Sequence, residues 1–403
     1  MIKLVSFNTI KSLFNPRLFD SLIYYLICLW MMIKLVNFTA IYNFYPSSYF
    51  LLIKISRVLC FCFVLFYIYK WNDILKNKCN LLFCFIFLLV SYFFNKYTKT
   101  QLVFDLFFIP LFLCQFLNRE KFYKYILLSF CLFIIFLMCL YFSGFILDSE
   151  VFVRQNGIKR YSFGFAHPNS LGFYIVLFCL LYALLKTTYK LYDYLIFIAL
   201  AFFCYKVPNS ITSSTSISLL VFFIFLSNCF LRKKTSTKIN LVILFISLLL
   251  VASVLFFTYY ITFTETFKTY LQSLPGSIWA RFELSKKGYE IFGFSLLGKY
   301  DEFRAMIVDI IQHHGRKAVW LILDCTYFFL PIIHGLIVYV IFLLMLIWSL
   351  VRGILAQKYL YALIIIGIVI YGVSETTIFS PVMMPLFAYT FFSTFKNNDK
   401  SKD

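Results

Sequence analysis

The sequence predicts an all-α, polytopic integral membrane protein of about 12 transmembrane helices, with both termini cytoplasmic and a large folded extracytoplasmic loop. Three observations carry that expectation. Only 13% of the residues are charged while 62% are hydrophobic, and the mean hydropathy is +0.87; a soluble domain averages roughly a quarter charged residues. Apolar runs recur along nearly the whole chain, each close to the roughly 20 residues a helix needs to cross hydrocarbon. The runs do not alternate polar with apolar as barrel strands would, so of the two structures able to span lipid they are helices.

Lys3, Lys11 and Arg17 precede the first apolar run, 18–36, and no small-residue cleavage site follows it, so it reads as a retained span. Further runs fall at 49–69, 79–95, 101–117, 124–146, 168–186, 192–206, 211–231, 239–261, 327–350, 358–374 and 377–395. With a cytoplasmic N-terminus, the inside connections hold Lys70, Lys76, Lys78, Arg119, Lys121, Lys124, Lys186, Lys190, Arg232, Lys233, Lys234, Lys238, Arg352 and Lys358. The outside connections carry far fewer, which is the positive-inside bias. The chain is a single membrane domain, 1–403, with two longer outside loops at about 147–167 and 262–326. The second carries Trp279, Phe282, Tyr289, Phe292 and Phe294 among its charges, a composition that folds. Within it Phe303, Met306, Ile307, Ile310 and Ile311 recur at helical spacing, as in an amphipathic helix on a membrane surface.

The 12 cysteines lie mostly inside apolar runs and form no CxxC or Cys/His cluster with metal spacing, so they read as packing residues and no metal is expected. The net charge of +20 suits anionic lipid head groups and an anionic substrate. Lys and Arg are scattered between spans, not gathered on one module, which argues against nucleic acid. A Walker loop, a GxGxxG before a helix and an internal repeat are all missing from the sequence.

Four polar patches carry candidate chemistry. Arg160 to Gly172 contains Gly164 and His167-Pro168-Asn169 where a loop turns into a span; Pro168 suits a first helical turn, and Arg154, Lys159 and Arg160 lie close by. A helix N-terminus with nearby cations is a diphosphate cradle, and it is equally an ordinary helix start with interfacial basic residues. Arg281 stands among aromatics ahead of Gly293 to Gly298. Its fork suits phosphate oxygens, or it stacks on Trp279 or pairs with Glu283. His313 and His314 precede Asp324-Cys325-Thr326-Tyr327, where an imidazole or carboxylate suits proton removal from a hydroxyl, against a solvated His pair and a capping Asp. Glu375 sits between two apolar runs near the outer interface, functional by its depth or simply exposed in a turn. Asn209 to Ser216 is too polar for a lipid-facing helix start and is expected to face protein or a cavity.

In this order the patches resemble the Wzy-type polymerases of bacterial capsule, exopolysaccharide and O-antigen synthesis, within the O-antigen-ligase-like superfamily. Arg160 to Gly172 is similar to the family's Arg, Gly, His-Pro-Asn, Gly pattern, Arg281 to Gly298 to its large-loop Arg and glycine turn, Asp324 to Tyr327 to its Asp-Asn-x-Tyr, and Glu375 to its late Glu. Cys325 replaces the family's Asn, and Ser213-Ser214-Thr215 replaces its Ser-Arg-Thr. The resemblance implies an inverting, metal-independent and cofactor-free glycosyltransferase on the outer face of a bacterial cytoplasmic membrane, polymerising oligosaccharide repeats carried on undecaprenyl diphosphate. It implies that Arg160, Arg281 and Asn169 bind the diphosphate, and that the base is among His167, His313, His314 and Asp324. Arg154, Gly164, Pro168, Gly172, Gly298, Tyr327 and Glu375 support them. A flippase and a chain-length regulator are the implied partners. A lipid-linked oligosaccharide flippase and an O-antigen-ligase-like transferase are the competing readings, the first disfavoured by the large folded loop.

Overall fold

The computed structural model describes residues 16–69, 117–147, 152, 153, 157, 159–229, 236–264, 267–273, 278–314, 323–383 and 385–387. The runs expected at 79–95 and 101–117, apart from Leu117, lie outside the described residues, as do Arg154 and positions 384 and 388–395 of the run at 377–395. What is described is mostly helical. The elements in order are α1 (Pro16–Val36), α2 (Ile41–Phe44), α3 (Pro46–Tyr69), α4 (Arg119–Phe142), β1 (Phe152–Val153), β2 (Lys159–Arg160), α5 (Pro168–Leu185), α6 (Leu191–Lys206), α7 (Ile211–Cys229) and α8 (Thr237–Thr264). Then follow α9 (Lys268–Ser273), α10 (Ile278–Phe292), α11 (Tyr300–His314), α12 (Thr326–Phe329), a π turn (Leu330–His334), α13 (Leu336–Leu355), α14 (Tyr359–Tyr371) and two 3-10 turns (Thr376–Ile378, Pro381–Met383).

Six of these helices, α3, α4, α5, α7, α8 and α13, contain stretches long and apolar enough to cross a membrane, and α1 and α14 contain shorter ones. The protein is a helical membrane protein. Of the six, α5 is the most enclosed, with 72% of its apolar stretch buried, and α8 the least, at 17%. The inner helix therefore carries the His-Pro-Asn patch at its start. It packs against α4, α6 and α7, while α7 packs on α14 and α14 on α13.

Small residues set these distances. A Cβ on Gly172 of α5 would lie 2.5 Å from Ser213 Oγ and 2.9 Å from Ser210 Oγ, which are hydrogen-bonded to each other at 2.8 Å. The polar start of α7 thus faces protein as its composition predicts, and Gly172 is what lets α5 approach it.

Pro331 has no N–H and obstructs a regular ladder, and the chain passes from α12 through the π turn to Gly335, at φ +92°, before α13 begins. The Ser295–Lys299 turn docks into that break. Lys299 N–H donates to Ile332 O at 2.8 Å and Leu336 N–H to Ser295 O at 2.8 Å. A Cβ on Gly298, which has φ +85°, would lie 2.3 Å from Ile333 O. Gly298 is thus a docking residue that fastens the large loop to the helical bundle. The amphipathic helix expected near 303–311 is α11, with Phe303, Met306, Ile307 and Ile310 half-buried and Glu302, Arg304 and Asp309 exposed.

Candidate functional site

At one end of the bundle α1, α6 and α14 finish while α5 and α7 begin, and four separated stretches of sequence meet there. The first is the 160–167 loop. It is stitched to the end of α1 by Ala40 N–H to Gly164 O and Ala166 N–H to Phe38 O, both 2.9 Å. Gly164 sits at φ +79°, a conformation that Gly adopts without strain and that places the loop's carbonyl toward Ala40. Arg160 ends the β1–β2 hairpin, paired with Phe152. Its Nε donates to Pro208 O at 2.8 Å and its Nη2 to Asn169 Oδ1 at 2.5 Å, so the guanidinium bridges the α6–α7 turn and the first turn of α5.

His167 is the N-cap of α5, with Pro168 in the first helical position as expected. Its Nδ1 accepts from Asn169 N–H at 3.0 Å, so one of the amides that would cradle an anion is already occupied. Burial pushes the imidazole pKa down to about 4, and the Arg160 and Arg281 cations push the same way. The ring is neutral at pH 7. Because Nδ1 accepts, its proton belongs on Nε2, which makes His167 a hydrogen-bond donor and not a proton acceptor at that nitrogen.

The second arm starts on α10. Trp279, Phe282 and Ser285 are buried along one face, and Gly288 continues it, where a Cβ would lie 2.6 Å from Leu323 Cδ2. That close approach holds Leu323 and Asp324 against α10. Arg281, on the same face, donates to Ser374 O, lies 3.4 Å from Glu375 Oε1, and has its Nε 3.9 Å from Asp324 Oδ2. Glu283 pairs instead with Lys287 at 3.0 Å, and Trp279 lies under Lys268, so Arg281's partners are the two distant carboxylates.

Asp324 and Glu375 are set side by side by the backbone between them. Thr326 N–H donates to Gly372 O at 2.9 Å and Thr326 Oγ1 to Glu375 O at 2.5 Å. Behind them Tyr327 donates to Val369 O at 2.6 Å, locking α12 to α14, and Gly372 leaves room for its ring. Cys325 is wholly buried at this junction and is a free thiol. Burial raises the Glu375 carboxyl pKa to about 7; the Arg281 cation opposes that rise and the Asp324 charge adds to it. Asp324 is also raised by burial, with Arg281 opposing. Both Arg160 and Arg281 bear on the charge of His167 and of Glu375, so the two arms form one electrostatic site.

The structure therefore brings together Arg160, His167, Asn169, Arg281, Asp324 and Glu375, with Gly164, Pro168, Gly172 and Tyr327 as their supports. It does not bring in His313, which lies exposed on α11, 3.1 Å from Asp309 of the same helix. The backbone of His314 ends α11, and its side chain lies outside the described residues. Lys206, at the end of α6, lies over the rings of Phe202 and Tyr205. Sequence reasoning gave Glu375 a supporting place and overlooked two carbonyl clamps, Pro208 O and Ser374 O; a backbone acceptor leaves no residue-type signature. It also passed over His334, which is buried among the rings of Tyr300, Phe329 and Phe379 as a packing residue.

No family model, curated protein or solved structure matches this chain.

Proposed function

We propose that this protein polymerises oligosaccharide repeat units carried on a lipid diphosphate, as a glycosyltransferase working at the outer face of a bacterial cytoplasmic membrane. The observation that carries the reading is the meeting of Arg160 and Arg281, from opposite halves of the chain, with His167, Asp324 and Glu375 at one end of the helical bundle. The opposite helix ends hold Arg119, Lys121, Lys124, Lys186, Lys190, Lys238, Arg352 and Lys358. By the positive-inside rule that end is cytoplasmic and the site opens outward. The twelve-span count adds the runs at 79–95, 101–117 and 377–395 to α1, α3 to α8, α13 and α14.

Two needs define the reaction. A hydroxyl of the incoming unit attacks the anomeric carbon of the growing chain, and the carbon–oxygen bond to the diphosphate breaks with its electron pair going to the diphosphate. The departing charge falls to Arg160 and Arg281, whose planar forks suit phosphate oxygens, with His167 Nε2–H as a further donor. The hydroxyl proton passes to Asp324, the more open of the two carboxylates, its side chain 36% exposed against 10% for Glu375. Glu375 holds Arg281 in place between turnovers. Undecaprenyl diphosphate is the carrier implied by the resemblance.

The test is the full chain in lipid nanodiscs supplied with radiolabelled lipid-linked repeats. A ladder of products separated by one repeat is expected. Transfer of a single glycan to a different acceptor, or movement of the labelled lipid across sealed vesicles without linkage, would replace the polymerase with a ligase or a transporter.

A further inference from the structure

A cleft runs from the site into the bundle between α5, α7 and α14. Its walls begin at Phe173 of α5, Ser216 of α7 and Tyr371 of α14, and end at Leu180, Phe223 and Ile364. The first three lie near the helix ends that form the site, and on each helix the second residue is seven positions from the first. The cleft therefore follows the helix axes inward for about 10 Å, at a rise of about 1.5 Å per residue. It holds about 410 Å³ of empty space, counting its open mouth.

The walls decide what can fill it. Apart from Ser216 and Tyr371 they are apolar, and Ser216 already donates to Thr212 O at 2.8 Å, so water would find few polar partners. A dry gap leaves its lining short of dispersion contacts, which a hydrocarbon chain restores. Gly367 lines the cleft at mid-length, and a Cβ there would lie 3.1 Å from Phe223 Cε2 and 4.0 Å from Leu219 Cδ2. Glycine leaves that space clear.

Tyr371 points to the kind of hydrocarbon. Its ring stacks on Phe173 at the head of the cleft, with centroids 6.3 Å apart, while its hydroxyl lies close enough to Ser213, Glu375 and Arg281 to feel all three. One residue thus borders both the cleft and the two-arginine site. A prenyl diphosphate is hydrocarbon from the first carbon after the phosphate oxygen, which suits a boundary where ring faces follow directly on cations. A phospholipid interposes a polar glycerol diester, which the head of the cleft would meet with two aromatic rings. Resting on the reading that the site takes a lipid diphosphate, we propose that the cleft between α5, α7 and α14 holds the polyprenyl tail of that substrate, the isoprene units nearest the diphosphate lying against Phe173, Tyr371 and Gly367.

The full chain in lipid nanodiscs is offered undecaprenyl diphosphate with a diazirine in the isoprene units nearest the diphosphate, or phosphatidylglycerol with a diazirine in one acyl chain. After ultraviolet light, mass spectrometry locates the label. The polyprenyl probe is expected to mark the cleft residues of α5, α7 and α14, well in excess of the phospholipid probe. Gly367→Leu should lower that labelling about tenfold by filling the cleft from α14. Ser216→Leu fills it from α7 and should act in the same direction, with melting temperature checking that each variant is folded. Label that falls elsewhere in the parent chain, or that stays at parent strength in both folded variants, overturns the proposal, and equal labelling by phosphatidylglycerol overturns the choice of chain. If the polyprenyl probe marks the cleft but no ladder of glycan products forms, the polymerase reading fails and the tail site stands; a ladder with label elsewhere does the reverse.

Discussion

The two arginines of the site are the same residue type at the same end of the bundle, yet they are held by opposite kinds of partner. Arg160 donates to two neutral acceptors, a proline carbonyl and an asparagine oxygen. Arg281 is flanked by Glu375 and Asp324, which offset its charge in the resting site. The first is a fixed cation; the second is a cation whose availability depends on the protonation of a carboxylate held near neutrality. A site that must grip an anion and then release it gains from that pairing, because a permanent pair of bare cations would retain the product diphosphate.

The sharpest way to break the comparison is Arg281→Ala. It removes a donor aimed at the leaving group and strands two partly buried carboxylates, whereas Pro208 O and Asn169 Oδ1, which Arg160 holds, are uncharged. Polymerisation should fall by about 10² to 10³, the range for losing one charge-stabilising donor. Polymer length read on a gel, with the protein level in the membrane followed by immunoblot, decides it. Normal chain length at a normal protein level would remove Arg281 from the reaction.

The Glu375 pairing has a pH signature. Its folded pKa of about 7 stands above the ordinary 4.5, so between these values the folded chain keeps a proton that the unfolded chain has released. The contribution to stability is full below about 4.5 and is lost as pH rises to about 7, a change of at most roughly 3 kcal/mol. His167, held neutral with its pKa lowered to about 4, contributes a slope of the opposite sign over nearly the same range, so the Glu375 signature is read as a difference: the melting temperature in detergent of the parent minus that of Glu375→Gln, which cannot ionise, should fall across that window and then level off. A difference that does not change with pH would place the titration elsewhere. Arg160→Gln, by contrast, should leave that difference nearly intact.

What the sequence made legible follows the same division. The first arm is local: Pro168 marks a helix start, Gly164 a turn, and Arg160 reaches Asn169 only nine residues on, so the patch could be read as a unit. The second arm is not. Arg281 meets Glu375 across 94 residues, and it is the close approach of Gly288 to Leu323 and the Thr326 bonds to Gly372 and Glu375 that bring them together. Residue types alone left Trp279 and Glu283 as equal partners for Arg281. The apolar periodicity gave the helical membrane fold directly, because lipid leaves the backbone few choices. The π turn at Pro331 and the docking of Gly298 depend on tertiary contacts that no spacing rule encodes.

The smallest effect separates the site from its neighbourhood. His313 is close in sequence to Asp324 and was a candidate base, but its four-residue spacing from Asp309 already offered a partner on the same helix, and the pair forms with both side chains exposed. Exposed pairs of this kind contribute little to stability. His313→Ala should change polymerisation by less than about twofold, within the noise expected for an exposed pair. A loss approaching that of Arg281→Ala would mean that α11 closes over the site during turnover, and the proton acceptor would then have to be sought on that helix instead of at Asp324.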